Sequence, residues 1–171
     1  MAIVKHIKSR NANYSDALNY LIFQHDESTG KMILDEFDRP LRRDELYVDG
    51  LNCNPDTFDV ECYECNEHFK KNRSRSEIKS HHYIISYDPA DAIECDLTGE
   101  KAQALSLDLA QKIFPGYQAL IVTHTDGHNG SGNIHTHIVI NSVRKEAVRR
   151  QRYMDKPHEE IAGYKHRSTN K

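Results

Sequence analysis

Three histidines set the chemical question this chain poses. His124 and the closely spaced pair His135 and His137 fall within HTDGHNGSGNIHTHIVIN, residues 124–141. Neutral imidazole is the commonest protein ligand for metal ions, and three of them leave coordination positions open for substrate or water. Such a site also suits cupin-type redox chemistry or phosphoesterase chemistry, and any one of these histidines alone fits a surface position or a satisfied core position. His128 lies in the glycine-rich stretch between them and is left out of the ligand set.

The triad depends on strands. YQALIVTH (117–124) and HTHIVINS (135–142) read as two strands joined by TDGHNGSGN, a loop too long for a tight turn and too rich in Gly, Asn and Asp for a helix. Side chains alternate along a strand, so His135, His137, Val139 and Asn141 share one face, while Thr136, Ile138, Ile140 and Ser142 share the other. If the two strands pair, His124 comes within reach of the His-x-His pair.

The rest of the chain supplies further elements. AIVKHIK near the start and HHYIISY (81–87) read as strands, the second stopped by Asp88-Pro89. A helix begins at Asn13, an N-cap with Asp16 three residues on, and presents Tyr14, Ala17, Leu18, Leu21 and Ile22 as its apolar stripe. At ~100° per residue Tyr14 lies within that stripe and Tyr20 is rotated roughly 120° away from it. Tyr14 therefore reads as core, and Tyr20 is free to face a groove. Residues 31–50 are charged and irregular, with a hairpin around DRP. A second helix runs from Asn54-Pro55 to about Lys70. A third starts at the Thr98 cap and runs to Ile113, with Ala102, Leu105, Leu109 and Ile113 facing inward. The sum is an α+β sandwich, an antiparallel sheet with helices packed on it.

Composition bounds the partners. The 171 residues suffice for one domain with a real core, and no run of 18 apolar residues exists to span a membrane. With no signal peptide at its start, the chain is expected to be cytoplasmic. Of four cysteines, Cys62 and Cys65 fall on a helical stripe with Phe58 and Phe69, which favours packing over a zinc or redox pair. The net charge is −3, yet residues 144–171 carry nine Lys/Arg against four Asp/Glu. This basic tail, and the shorter KKNRSR at 70–75, suit either phosphate backbones or solvated surface. The HRSTNK end carries no stop signal, so the chain is expected to be the N-terminal domain of a longer protein.

Taken in order, NYSDALNYLI, SHHYIISYDP and HTDGHNGSGNIHTHIVIN resemble the three signature motifs of conjugative relaxases. These are the HUH-type DNA nickases, and the likeness is to the P-type mobilisation branch of plasmids and integrative elements. The third motif reads His-x-Asp, a loop, His-x-His and an Asn four residues on, here His124, Asp126, His135, His137 and Asn141. The resemblance covers residues 1 to about 165. It implies a five-stranded antiparallel sheet with flanking helices, in the manner of rolling-circle initiators.

It also implies a mechanism. Such enzymes nick one DNA strand at an origin of transfer, stay joined to the 5′ phosphate through tyrosine, and later reseal the strand. The resemblance makes Tyr20 the nucleophile, with Tyr14 the fallback, and makes His124, His135 and His137 ligands of a divalent metal, Mn²⁺ or Mg²⁺. Three imidazoles by themselves would suit zinc, nickel or manganese better than magnesium. Asp126 either orients an imidazole, accepts the tyrosine proton, or caps its loop. His82 stands where relatives carry a residue touching the metal histidines. Arg149, Arg150 and Arg152 are candidates for DNA phosphates, and Tyr153 for stacking on a base. The implied partners are single-stranded origin DNA bearing a hairpin, accessory proteins of conjugation and type IV secretion coupling proteins, all in the bacterial cytoplasm. Two alternatives stand beside this one: a rolling-circle initiator, whose tyrosine usually follows the histidines rather than preceding them, and a non-catalytic metal-containing module that binds single-stranded DNA.

Overall fold

His135–Arg144, ten residues all buried, form the middle strand of the sheet. A strand covered on both faces is the most rigid platform a sheet offers, and two of the three histidines stand on it. The computed structural model of the chain describes residues 2–26, 28–126, 133–150 and 157–166. In chain order these form β1 (Ile3–Ser9), α1 (Tyr14–Ile22), β2 (Leu46–Leu51), a 3₁₀ turn (Pro55–Thr57), α2 (Phe58–His68), β3 (Ser80–Ser86), α3 (Pro89–Glu94), α4 (Gly99–Ile113), β4 (Tyr117–His124) and β5 (His135–Arg144). The five strands make one sheet ordered β1-β3-β5-β4-β2, antiparallel throughout. The expected α+β architecture is therefore present.

Helices cover both faces. On one, α4 packs through Ala110 and the following Phe114 against Ala119, Ile121, Ile138 and Ile140. On the other, α1 and α2 bring Tyr14, Leu21, Phe58 and Cys62 onto Leu120, Val122 and Val139. The His135–His137 face is thus the α1 face. Cys62 and Cys65 are buried and unbridged, as packing residues would be.

Three local readings need correction. β2 lies largely in the 31–50 stretch that reads from sequence as charged and irregular. In the fold Asp49 accepts from Gln103 Nε2 at 2.8 Å, so its carboxylate is satisfied within a strand. α4 is rotated from the expected stripe: Leu105 and Ile113 are exposed, while Ala102, Gln103, Ser106 and Ala110 face inward. The same Gln103 explains the rotation, since it also donates to the Ile121 carbonyl and accepts from Thr123 Oγ1 at 2.6 Å. A buried amide with its hydrogen bonds satisfied outweighs an aliphatic side chain that can lie on the surface. Finally, Asp88-Pro89 does not only stop β3. Asp88 and Asp91 form a capping box that starts the short α3.

The opposite end of β5 gathers a second set of rings. His81 Nδ1 lies 3.0 Å from His6 Nε2, and its ring is edge-on to His166, whose ring also meets Tyr83, Phe114 and Tyr117. Burial pushes the His81 imidazole down to about 3 and that of His166 down to about 4. The native state therefore holds both rings neutral, while the unfolded chain protonates them below about 6.5. Their contribution to stability is complete above that pH and is lost as pH falls toward 4. The urea midpoint of the metal-free protein is expected to drop across that window, and to drop less steeply in His81→Leu.

Candidate metal centre and DNA groove

The strand register brings the histidines together. His124 stands directly opposite His135 on neighbouring strands, and His137 follows two residues on along the same face. The three ring centroids form a near-equilateral triangle with sides of 5.1, 5.1 and 5.0 Å. One nitrogen from each lies within 4.8 Å of the others, and all three residues are buried.

Hydrogen bonds decide which nitrogen each ring presents. His124 Nε2 lies 2.7 Å from the Leu21 carbonyl. A carbonyl only accepts, so Nε2 carries the proton and Nδ1 presents its lone pair. His135 Nδ1 lies 3.1 Å from the Asn133 carbonyl, so Nε2 is its basic atom. These two basic nitrogens face each other at 3.3 Å. Neither can donate to the other in this tautomer pair, so the contact calls for a cation. Two nitrogens bound at ~2.0–2.1 Å to one tetrahedral ion would stand about 3.3–3.4 Å apart, which is the spacing seen. Burial pushes the His124 imidazole down to about 4, which keeps it in the neutral, ligating form. The side chains present therefore fit a divalent metal.

His82 joins the group from β3. It pairs in register with Val139, which makes it the diagonal neighbour of His137, and its Nε2 lies 2.8 Å from His137 Nδ1. Burial brings His82 itself down to about 4. A neutral His82 accepting from His137 Nδ1–H would direct His137 Nε2 toward the other two ligands, the usual device for orienting a metal-binding imidazole.

Helix α1 is tied to this centre at two points. At its start the Tyr14 hydroxyl donates to the Lys79 carbonyl (2.8 Å) and Asn141 Oδ1 (3.1 Å) and accepts from Asn66 Nδ2 (2.9 Å). At its end the Leu21 carbonyl, one of the last-turn acceptors a helix leaves unmet, takes the His124 N–H. Tyr14 is buried, and burial pushes its phenol up beyond the usual range. Tyr20, 44% exposed, lines the same groove as His82, His135 and His137. That groove is about 720 Å³ in volume and reaches over β3 to Lys5 and Ile7 on the edge strand β1.

Asp126 lies just past β4 and pairs with Arg43 Nη1 at 2.7 Å. Thr125 donates beside it to Glu45. Both bonds tie the two residues that follow β4 to the segment before β2. Arg43 was not foreseen; within LRRDEL it looks like surface charge, yet its side chain is only 13% exposed. Arg149 and Arg150 are exposed beyond the opposite end of β5 from His135, ~30 Å along the strand at ~3.3 Å per residue. His128, Arg152 and Tyr153 lie outside the described residues.

An antiparallel sandwich that gathers three imidazoles on one sheet face, two of them lining a groove that a helix-borne tyrosine also lines, has the layout of an HUH-type relaxase nuclease domain. Residues 33–163 match the family described as relaxase, MobA/VirD2-like, nuclease domain, and the chain belongs to that family. The match takes in the histidines, Asp126 and Arg43, while Tyr20 lies ahead of it. Two relatives from Staphylococcus aureus, each named Protein rlx, are 33% and 36% identical over 101 residues. In both cases the aligned stretch is 57% of this chain and 27% of the relative, so the chain matches about a quarter of their length. No solved structure matches the chain. No helix among the described residues is long and apolar enough to cross a membrane.

Proposed function

We propose that this domain nicks one strand of DNA at an origin of transfer by tyrosine transesterification, in the service of conjugative transfer of a mobile element. The observation that carries the reading is the imidazole triangle, two of whose members, His135 and His137, line the same groove as Tyr20. His124, His135 and His137 hold a divalent ion, Mn²⁺ or Mg²⁺, which when bound polarises the scissile phosphate and offsets its added negative charge. Tyr20 Oη attacks phosphorus, the 3′-oxygen leaves, and the 5′ phosphate stays on the protein. One phosphodiester replaces another, so resealing runs along the same path without an external energy source. His82 orients His137. Asp126, held by Arg43, anchors the end of β4 beside His124. Arg149 and Arg150 meet phosphates away from the nick. The substrate is single-stranded origin DNA with a hairpin, the setting is the bacterial cytoplasm, and the whole protein works with conjugation accessory and type IV secretion coupling proteins.

The test incubates the chain with single-stranded origin fragments and Mn²⁺ and reads intact mass. A species heavier by the 3′-side fragment, absent with EDTA, is expected. Cleavage that leaves the protein mass unchanged, or no cleavage across the fragment set, would overturn the reading.

A further inference from the structure

Phenols ionise near pH 10, so attack by Tyr20 at neutral pH requires a group to take its proton. The acceptors around the groove are mostly committed. Both Asp16 oxygens accept side-chain amides at 2.6 Å, from Asn11 and Asn13. Asp126 is paired with Arg43, and His82 is engaged with His137. The triad nitrogens face each other. One imidazole beside Tyr20 is not used by any of these arrangements.

That ring is His25. Its centroid lies 5.5 Å from that of Tyr20, tilted by 44°. It is carried by the excursion between α1 and β2, where short antiparallel bridges join Phe23 to Arg42, His25 to Met32 and Leu34 to Pro40. Backbone bonds from Asp26 N to the Lys31 carbonyl and from Ile33 N to the Gln24 carbonyl hold the strand carrying it on either side. The excursion leaves the end of α1 directly, so His25 keeps a fixed offset from Tyr20. His25 Nδ1 lies 3.0 Å from the Phe23 carbonyl. That carbonyl can only accept, so Nδ1 carries the proton and Nε2 holds the lone pair. A backbone oxygen thus sets the tautomer, as it does for the orienting bonds of catalytic imidazoles generally. The centroid separation is small enough for the phenol and Nε2 to meet on a side-chain rotation, the adjustment that substrate binding commonly brings.

We infer that His25 is the general base for Tyr20, an inference that rests on the proposed nicking reaction. As the Tyr20 Oη–phosphorus bond forms and the phosphorus–O3′ bond breaks, the phenol proton passes to His25 Nε2. The departing 3′-oxygen takes a proton from water, and the hydroxide so formed takes the proton from the His25 imidazolium, leaving all groups neutral as before. In resealing, water protonates His25, the 3′-hydroxyl attacks phosphorus and gives its proton to the hydroxide so formed, and His25 returns its proton to the leaving Tyr20 oxygen.

The test measures single-turnover adduct formation with saturating Mn²⁺ and origin DNA, together with DNA affinity by fluorescence anisotropy. His25→Gln keeps a polar side chain of similar size, with its amide near the Nε2 position, but has no basic atom. It is expected to slow adduct formation by ~10²–10⁴-fold while leaving affinity and melting temperature near those of the parent. His25→Ala opens space, and added imidazole is expected to restore at least tenfold of its lost rate without accelerating the parent. A His25→Gln rate within threefold of the parent, in a protein whose adduct maps to Tyr20, overturns the base and leaves the nicking proposal standing. A slowed His25→Ala that imidazole does not restore overturns it also, reducing His25 to a structural part. An adduct mapped to another tyrosine, or none in the parent, removes the nicking scheme and His25 with it.

Discussion

Tyr20→Phe is expected to abolish the covalent DNA adduct, with no band above background on a denaturing gel, while Tyr14→Phe retains it. The two phenols sit on one helix, six residues apart, and their surroundings assign opposite work. Tyr14 is buried, its hydroxyl makes three hydrogen bonds, and burial raises its phenol well above the ordinary value. An acid so weakened, whose oxygen is enclosed by Lys79, Asn66 and Asn141, cannot reach a phosphate. Removing its hydroxyl leaves the Asn66 amide N–H without its acceptor, while the Lys79 carbonyl keeps Ser142 N and Asn141 Oδ1 keeps Val143 N, and is expected to lower unfolding free energy by about 1–3 kcal/mol in urea titrations. Adduct formation by Tyr14→Phe should continue at temperatures where the variant stays folded. Tyr20 presents the converse case: the residue is exposed and lines the groove beside His135 and His137, so Phe in its place is expected to remove the proposed nucleophile with little effect on stability. A persistent adduct in Tyr20→Phe would move the nucleophile elsewhere on the chain.

This division was legible before any fold was known, because helical periodicity alone separates position 14 from position 20. The strand alternation that puts His135 and His137 on one face, and the pairing that adds His124, were legible for the same reason: period and loop length are local properties of a sequence. His82 was placed beside the triad by resemblance, and the structure supplies its partner as the diagonal neighbour across β3 and β5. What stayed hidden depends on long-range contacts. Arg43 looks like surface charge until the segment before β2 meets Asp126 just past β4. The Leu21 carbonyl belongs to no motif, yet it sets the tautomer of His124, 103 residues away in sequence. β2 was concealed by the charged 31–50 stretch in which it largely lies, and its Asp49 carboxylate is satisfied by a buried glutamine on α4. Asn141 is visible as a motif residue, but its contact with the Tyr14 hydroxyl shows its work, which is to seat α1 over the central strand.

Seating α1 this way links metal binding to the helix that carries Tyr20, and the link has a measurable consequence. The His124 ring gives one nitrogen to the Leu21 carbonyl and turns the other toward His135. A cation shared by the three rings relieves two lone pairs held 3.3 Å apart and so favours the native state over the unfolded one. Any ion that binds only the folded form stabilises it by RT ln(1 + [L]/Kd), about 2.7 kcal/mol at a hundredfold excess over Kd. For a domain of this size, with ~2–4 °C per kcal/mol, Mn²⁺ is expected to raise the melting temperature by about 5–10 °C. His135→Ala and His137→Ala should each abolish that rise and reduce adduct formation by at least ~10²-fold, since the phosphate would lose its electrophilic partner. His82→Ala should weaken the metal-dependent rise by the ~10–100-fold affinity loss typical of removing an orienting partner, without abolishing it. His124→Ala should do more than its two companions, because it removes a ligand and also leaves the Leu21 carbonyl at the end of α1 without its donor. Faster amide exchange in the last turn of α1 is therefore expected in His124→Ala and not in His135→Ala. Equal exchange in the two variants would show that His124 holds a metal without holding the helix.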